Sequence, residues 1–386
     1  MSNEIILNNV RMVTADEVVL GSMLIENGII KAIDSQATSL PQAQDLHGDY
    51  VIPGLVELHT DNLEKFMNPR PGVDWPSMSA IVGHDNQVIS SGITTVFDAL
   101  SVGDISPKGD RLANLLPMLE AITHSQQEGI TRAEHKIHLR CEVAHPKTHE
   151  RFMELNDNAY VGLVSIMDHS PGQRQFAQLD KYREYYQGKY GMNAAQMDEF
   201  AEKQIRHAET YSQPNRLSIT EHCRSKGLAL ASHDDATAAH VDESHALGME
   251  IAEFPTTEEA ASLSHQKGLK VLMGAPNVVR GGSHSGNISA HFLAQLGLLD
   301  ILSSDYYPSS LLQAAFMLTQ EHIGYSLPQA IRTVSKNPAE SVHLHDRGEI
   351  AIGKIADLVQ VKHTVLPMVQ QVWKQGKRVF ECLQAA

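Results

Sequence analysis

Between Val51 and about Ala339, short apolar runs alternate with longer helical stretches, and the runs repeatedly close on polar residues. The runs are VIPGLVELH, ITTVFDA, HKIHLRCEV, YVGLVSIMD, GLALASH, MEIAEF, LKVLMGA and LLDILSSD. Strands separated by helices pair in parallel, because each parallel connection needs a crossover long enough to return to the same end of the sheet. Eight such units over roughly 290 residues suit an α/β fold, a (β/α)8 TIM barrel with loop insertions.

Residues 4 to 50 read differently, as short strands and turns. IILNNVRMVT is followed by VVLGSMLIENGIIKAID, with a turn at Asn27-Gly28 between apolar runs. After Pro338 the chain returns to β-like runs, EIAIGKIADLVQVK and VQQVWKQGKRVF. The expected organisation is therefore a small composite β-sandwich domain from residues 1–50 and 344–386 beside a barrel over 51–343. The stretch from Gln173 to Pro214, rich in Tyr, Gln and charge, reads as helices in a long insertion after strand four.

Composition narrows the chemistry. With 31 Lys+Arg against 46 Asp+Glu the formal charge is −15, which excludes an electrostatic nucleic-acid binder or a binder of anionic membranes. No apolar stretch of about 18 residues and no signal-like start occur, so a cytoplasmic location is expected. The 21 His against 3 Cys favour imidazole and carboxylate chemistry over disulfides or thiolate metal sites.

In a barrel of this kind the chemistry sits where strands end. Strand one closes on Glu57, His59 and Asp61, spaced by two and so on one face of an extended chain. Strand three points Glu142 inward and Cys141 outward. Strand four closes on Asp168-His169, strand five on His233-Asp234-Asp235, and strand eight on Ser304-Asp305. Imidazoles and carboxylates from several strands suit Zn²⁺, Mn²⁺ or Fe²⁺, and a carboxylate can bridge two ions. The expected ligands of a two-metal hydrolytic site, with Zn²⁺ foremost, are His59, Asp61, Glu142, His169 and His233, with Glu142 bridging. Glu253, ending strand six, is open between a metal ligand and a holder of a substrate hydroxyl.

The segment PGLVELHTD at 53–61 resembles the strand-one metal motif of the amidohydrolase superfamily, and GKIADLVQV at 353–361 resembles its C-terminal sandwich segment. One departure is plain: His59-Thr60-Asp61 stands where the superfamily usually has His-x-His. Longer segments, among them ELHTDNLEKF, RPGVDWP, LVSIMDHSPGQRQF, KYREYYQGKY, LMGAPNVVRGGSHSGN and LDILSSDYYPSSLL, resemble those of the ribose triphosphate diphosphatases of the carbon–phosphorus lyase pathway. That resemblance implies a small-molecule triphosphate substrate, cleavage between the α and β phosphates, and release of pyrophosphate. In the superfamily pattern Asp305 accepts the proton of the attacking water; the competing reading is an N-cap on the helix that follows.

A triphosphate needs local positive charge on an acidic protein. Lys65, Arg70, Arg174 and Arg280 lie in loops after strands, and Gly281-Gly282-Ser283-His284 follows Arg280 as a candidate anion nest, or else a tight turn. Lys181, Arg183 and Lys189 among the tyrosines are open between a lid and a solvated helix face. Two rival functions remain at this level: a hydrolase of C–N bonds in cyclic amides or N-acyl amino acids using the same metals, and a non-catalytic barrel. Self-association into a homo-oligomer is compatible with a barrel of this size.

Overall fold

The computed structural model describes residues 4–104, 110–176, 179–283 and 286–382. Its first sheet is built from both ends of the chain. Strands Glu4–Val13, Val18–Glu26, Ile29–Asp34 and Tyr50–Pro53 join Leu358–His363, Pro367–Lys374 and Lys377–Glu381 in one mixed sheet, with Gln44–Asp45 pairing the first strand. The two sets meet where Tyr50–Pro53 runs antiparallel to Leu358–Val361. Leu7, Met12, Met23, Ile25, Ile30, Ala356, Leu358 and Trp373 form the core on this sheet, all buried.

The turn expected at Asn27-Gly28 is a two-residue hairpin with φ of 51° and 80°, the doubly positive pair of a type I′ turn. Gln375-Gly376 makes a second turn of the same kind, with φ of 49° and 71°. The two turns touch: a Cβ on Gly28 would lie 2.7 Å from the Gln375 carbonyl oxygen.

The second sheet has eight strands in consecutive order: β1 (Leu55–Thr60), β2 (Ile93–Val102), β3 (Glu134–Glu142), β4 (Val161–Met167), β5 (Ala229–His233), β6 (Ile251–Glu253), β7 (Lys270–Gly274) and β8 (Ile301–Ser303). Registered neighbours pair in parallel. A Thr60–Asp305 bridge closes first strand to last, with Asp61 N–H donating to the Asp305 carbonyl at 3.0 Å and Asp305 N–H to the His59 carbonyl at 3.1 Å. This is the expected barrel with a sheet from both termini.

One run divides. VIPGLVELH reads as a single strand, but Tyr50–Pro53 belongs to the terminal sheet and Leu55–Thr60 to the barrel. The switch is at Gly54, where a Cβ would come within 2.2 Å of Thr94 Oγ1, so only glycine lets the backbone pass there. Among the described residues, no helix is long and apolar enough to cross a membrane.

The chain divides into two compact units. One comprises Met1–Asp98, Ala121–Lys136 and Met273–Ala386, and holds the terminal sheet with β1 and β8. The other comprises Ala99–Glu120 and Ile137–Leu272, and holds β4, β5, β6 and the helices after β4.

Replacing Gly28 by Ala should destabilise the protein by about 1–3 kcal/mol, because the residue keeps a positive φ while its new methyl presses on the Gln375 carbonyl. Denaturant unfolding of Gly28→Ala checks this; an unchanged midpoint would mean that the two turns do not constrain each other.

Candidate functional site

Polar residues gather at strand ends in both units. In the first, Glu57 is the brace. Its carboxylate accepts from His59 N–H at 2.7 Å and Ser304 N–H at 2.6 Å, and the Ser303 hydroxyl lies 2.6 Å from Oε1. Burial pushes the Glu57 pKa up, and those hydrogen bonds oppose the shift by favouring the anion. The brace ties β1 to β8 one step below the donors. Above it, His59, Asp61 and Asp305 each offer one ligand atom, all within 4.8 Å of one another. His59 Nε2 is 3.8 Å from Asp61 Oδ1.

Asp305 has φ of 54°, a left-handed conformation that aspartate tolerates and that marks constrained positions. It does not cap the following helix: Ser310–Met317 has Ser309 at its N-cap, four residues beyond Asp305.

The cationic candidates of this unit separate into two kinds. Lys65, on the helix Asn62–Met67, donates to the Tyr306 carbonyl and lies over the Tyr306 ring at 5.2 Å, fastening the segment after β1 to the residue next to Asp305. Arg70 and Arg280 are exposed and have no ion-pair partner among the described residues. Arg280 ends the helix Ala275–Arg280, and the glycines after it terminate that helix: Gly281 N–H donates to the Val278 carbonyl at 3.1 Å and Gly282 N–H to the Asn277 carbonyl at 2.8 Å. This is a Schellman-type C-cap, in which both amides are engaged by helix carbonyls. Ser283 is half-buried, and His284 lies outside the described residues.

The same unit holds a polar cluster that sequence reasoning missed. Asp98, inside β2, receives His84 Nε2 at 2.7 Å and His135 Nδ1 at 2.7 Å on its two oxygens. Asn62 Nδ2 donates to His84 Nδ1 at 3.0 Å, and His135 Nε2 lies 3.4 Å from Asp85. All three of His84, Asp98 and His135 are fully buried. Burial opposes charge on His135, but Asp98 and Asp85 outweigh it and raise its pKa to about 9; Asp98 is correspondingly lowered to about 2 against its own burial. No motif in the sequence marks it: His84 lies on the helix Ser77–Ser90, and His135 opens the run HKIHLRCEV.

In the second unit, His169 and His233 present their Nε2 atoms to Asp234 Oδ2, at 3.8 Å and 3.5 Å, and the three form another group with ligand atoms within 4.8 Å. Each ring is oriented from behind: His169 Nδ1 is 2.5 Å from Glu142 Oε2, and His233 Nδ1 is 2.6 Å from Glu253 Oε2. A carboxylate on one imidazole nitrogen fixes the tautomer and leaves the other as the donor. Burial lowers the His169 pKa, yet the Glu142 charge, its hydrogen bond and Asp234 raise it overall. Asp234 is a donor that strand alternation hides: it follows His233 directly, and its φ of 57° turns it to the same side.

Arg174 stands apart from these donors. It is 2% exposed and pairs with Asp235 and with Glu243. In the insertion, Phe176, Tyr182, Tyr186, Met197 and Ala201 form a small core of their own. Lys189 lies over three tyrosine rings at 5.4 to 5.8 Å and Arg183 pairs with Asp198, while the Lys181 side chain is outside the described set. Cys141 is buried beside Cys223, and its thiol is pushed up by burial first and by Cys223 next, away from the thiolate form that binds metals.

A family model described as the amidohydrolase family matches residues 118–380. The α-D-ribose 1-methylphosphonate 5-triphosphate diphosphatase of Escherichia coli (strain K12) is 56% identical over 377 residues, which is 97% of this chain and 100% of that protein. Among solved structures, the 5-methylcytosine deaminase of Klebsiella pneumoniae superposes with a TM-score of 0.66 at 15% identity, covering 99% of both chains. The N-acetylglucosamine-6-phosphate deacetylase of Pasteurella multocida gives 0.61 at 12% identity, over 97% of this chain and 99% of that one. At such identities the two structures speak for the fold alone.

The His135 cluster has a pH signature. Its folded pKa, about 9, lies above the value near 6.5 of an exposed imidazole, so its contribution is complete below about pH 6.5 and is lost as pH rises through 9. Unfolding midpoints from pH 6 to 10 should therefore fall more steeply for the wild type than for His135→Gln; parallel profiles would mean that His135 is not charged in the folded protein.

Proposed function

Because the chain belongs to the amidohydrolase family, we propose that it is a metal-dependent hydrolase that converts α-D-ribose 1-methylphosphonate 5-triphosphate into 5-phosphoribosyl 1-methylphosphonate and pyrophosphate, a step of phosphonate catabolism. The observation that carries this reading is the end-to-end 56% identity with a diphosphatase of that name. The C–N reading has no comparable support, since the deaminase and deacetylase share only the fold.

The donor groups fit divalent ions. Each combines imidazole and carboxylate oxygen, the set that Zn²⁺, Mn²⁺ and Fe²⁺ accept. We assign one ion to His59, Asp61 and Asp305, and a second to His169, His233 and Asp234, with Zn²⁺ the first choice. Bound there, the ions supply Lewis-acid stabilisation of charge on phosphoryl oxygens and acidify water. Glu142 and Glu253 hold the two rings of the second group in their donor tautomers, and Glu57 holds His59 and the Asp305 turn.

The reaction breaks the bridging P–O bond between the α and β phosphates, adds the elements of water, and releases pyrophosphate. A carboxylate oxygen of Asp305 takes the proton from the attacking water; its helix has another N-cap, and its left-handed turn sets it among the donors. Arg70 and Arg280 are the exposed cations assigned to the polyphosphate, where a guanidinium grips two oxygens at once. Lys65 and Arg174 act instead through the contacts described above.

With a divalent ion, the protein should turn the ribose 5-triphosphate into 5-monophosphate and pyrophosphate in one step, followed by phosphorus NMR; orthophosphate as the sole released product, or ammonia from cyclic amides with triphosphate untouched, overturns the assignment. Asp305→Asn should lose about 10²- to 10⁴-fold in kcat while keeping its fold. An Asp305→Asn enzyme with its metal content and rate intact would leave Asp305 without the proton.

A further inference from the structure

Three carboxylates and two guanidiniums behind the second donor group alternate in charge and form one continuous chain. Arg216 Nη2 lies 3.2 Å from Asp168 Oδ2, and its Nη1 lies 3.0 Å from Glu243 Oε1. Arg174 Nη2 is 3.1 Å from Glu243 Oε2, and its Nη1 closes on Asp235 Oδ1. The order is thus Asp168, Arg216, Glu243, Arg174, Asp235. Ser212 Oγ donates to Asp168 at 2.8 Å and Ser244 Oγ to Asp235 at 3.0 Å, so the ends of the chain are held as well.

The two ends are chain neighbours of the metal donors. Asp168 precedes His169, and Asp235 follows Asp234. We infer that this five-residue chain sets the separation of the β4 and β5 ends, and so the geometry at which His169, His233 and Asp234 face an ion; Arg174, Arg216 and Glu243 are positioning residues. The inference rests on the ion assignment proposed above for those three donors.

Three features support a positioning role over mere filling of space. Both arginines are nearly inaccessible, and each divides its fork between two carboxylates, a geometry that lysine cannot reproduce. Glu243 gives one oxygen to each arginine, so it joins the Asp168–Arg216 pair to the Arg174–Asp235 pair. Left-handed backbone occurs at one member of the chain, Arg174 with φ of 41°, and at Asp234 with φ of 57°, next to its end at Asp235, conformations that persist only where surrounding contacts over-determine them.

The test uses the full-length metal-loaded enzyme, with Glu243→Gln and Arg216→Lys. Glu243 is 33% exposed, so its neutral isostere should fold; it keeps one acceptor but turns an amide N–H₂ against the second guanidinium. Glu243→Gln should lose one of two ions to a competing chelator about 10- to 100-fold more readily, with kcat falling in parallel and KM within about twofold. Added Zn²⁺ should restore part of the turnover. A Glu243→Gln protein that melts earlier but keeps wild-type chelator resistance and kcat would reduce the chain to a structural ion cluster, whether or not Arg216→Lys folds. Elemental analysis of the wild type separates the two levels: if it never holds more than one ion per chain, the ion assignment itself fails, and the inference with it.

Discussion

Two backbone hydrogen bonds, from Asp61 to Asp305 and from Asp305 to His59, close the eight-stranded sheet, and they are made by the residues whose side chains form the first donor group. Barrel closure and donor geometry are consequently one constraint. Glu57 stiffens it with oxygens that accept from His59 N–H, the Ser303 hydroxyl and Ser304 N–H, so one buried carboxyl holds both strands. An ion held across this seam would also tie first strand to last and so couple metal affinity to barrel stability.

The second donor group is braced by side chains, with a glutamate behind each histidine, and the alternating-charge chain ends on Asp168 and Asp235, the sequence neighbours of His169 and Asp234. That arrangement bears on how an acidic protein handles a polyanion. Arg174 and Arg216 are cations by formal count, but each is neutralised internally, and Lys65 is held by Tyr306. Of the loop cations singled out in the sequence, Arg70 and Arg280 are the ones that stand exposed, their side chains with no ion-pair or hydrogen-bond partner among the described residues.

Strand order and the polar strand ends were legible because both follow from local periodicity. The residues left unread fail for identifiable reasons. Asp234 sits one place after His233, and alternation assigns it to the opposite face; only a left-handed φ, invisible in the sequence, reverses that. The partners of Arg174 lie 61 and 69 positions along the chain, at Asp235 and Glu243, so its loop position suggests an anion contact while its pairing cannot be seen. At Gly281-Gly282 the signal was present: Pro276 near the start and glycine just past the end are the punctuation of a short helix, and GAPNVVRGG carries both. The Asp98 network depends on a strand, a helix and a third segment, none of which has a motif of its own.

The pairing of Tyr50–Pro53 with Leu358–Val361 has a consequence for biosynthesis. During translation the amino-terminal strands emerge first, yet the edge that Tyr50–Pro53 offers has no neighbour until some three hundred further residues have been made. Contacts so distant along the chain form slowly, and an open edge meanwhile invites pairing with other chains. The nascent protein thus carries an open strand edge through most of its synthesis and covers it only once Leu358–His363 has been made.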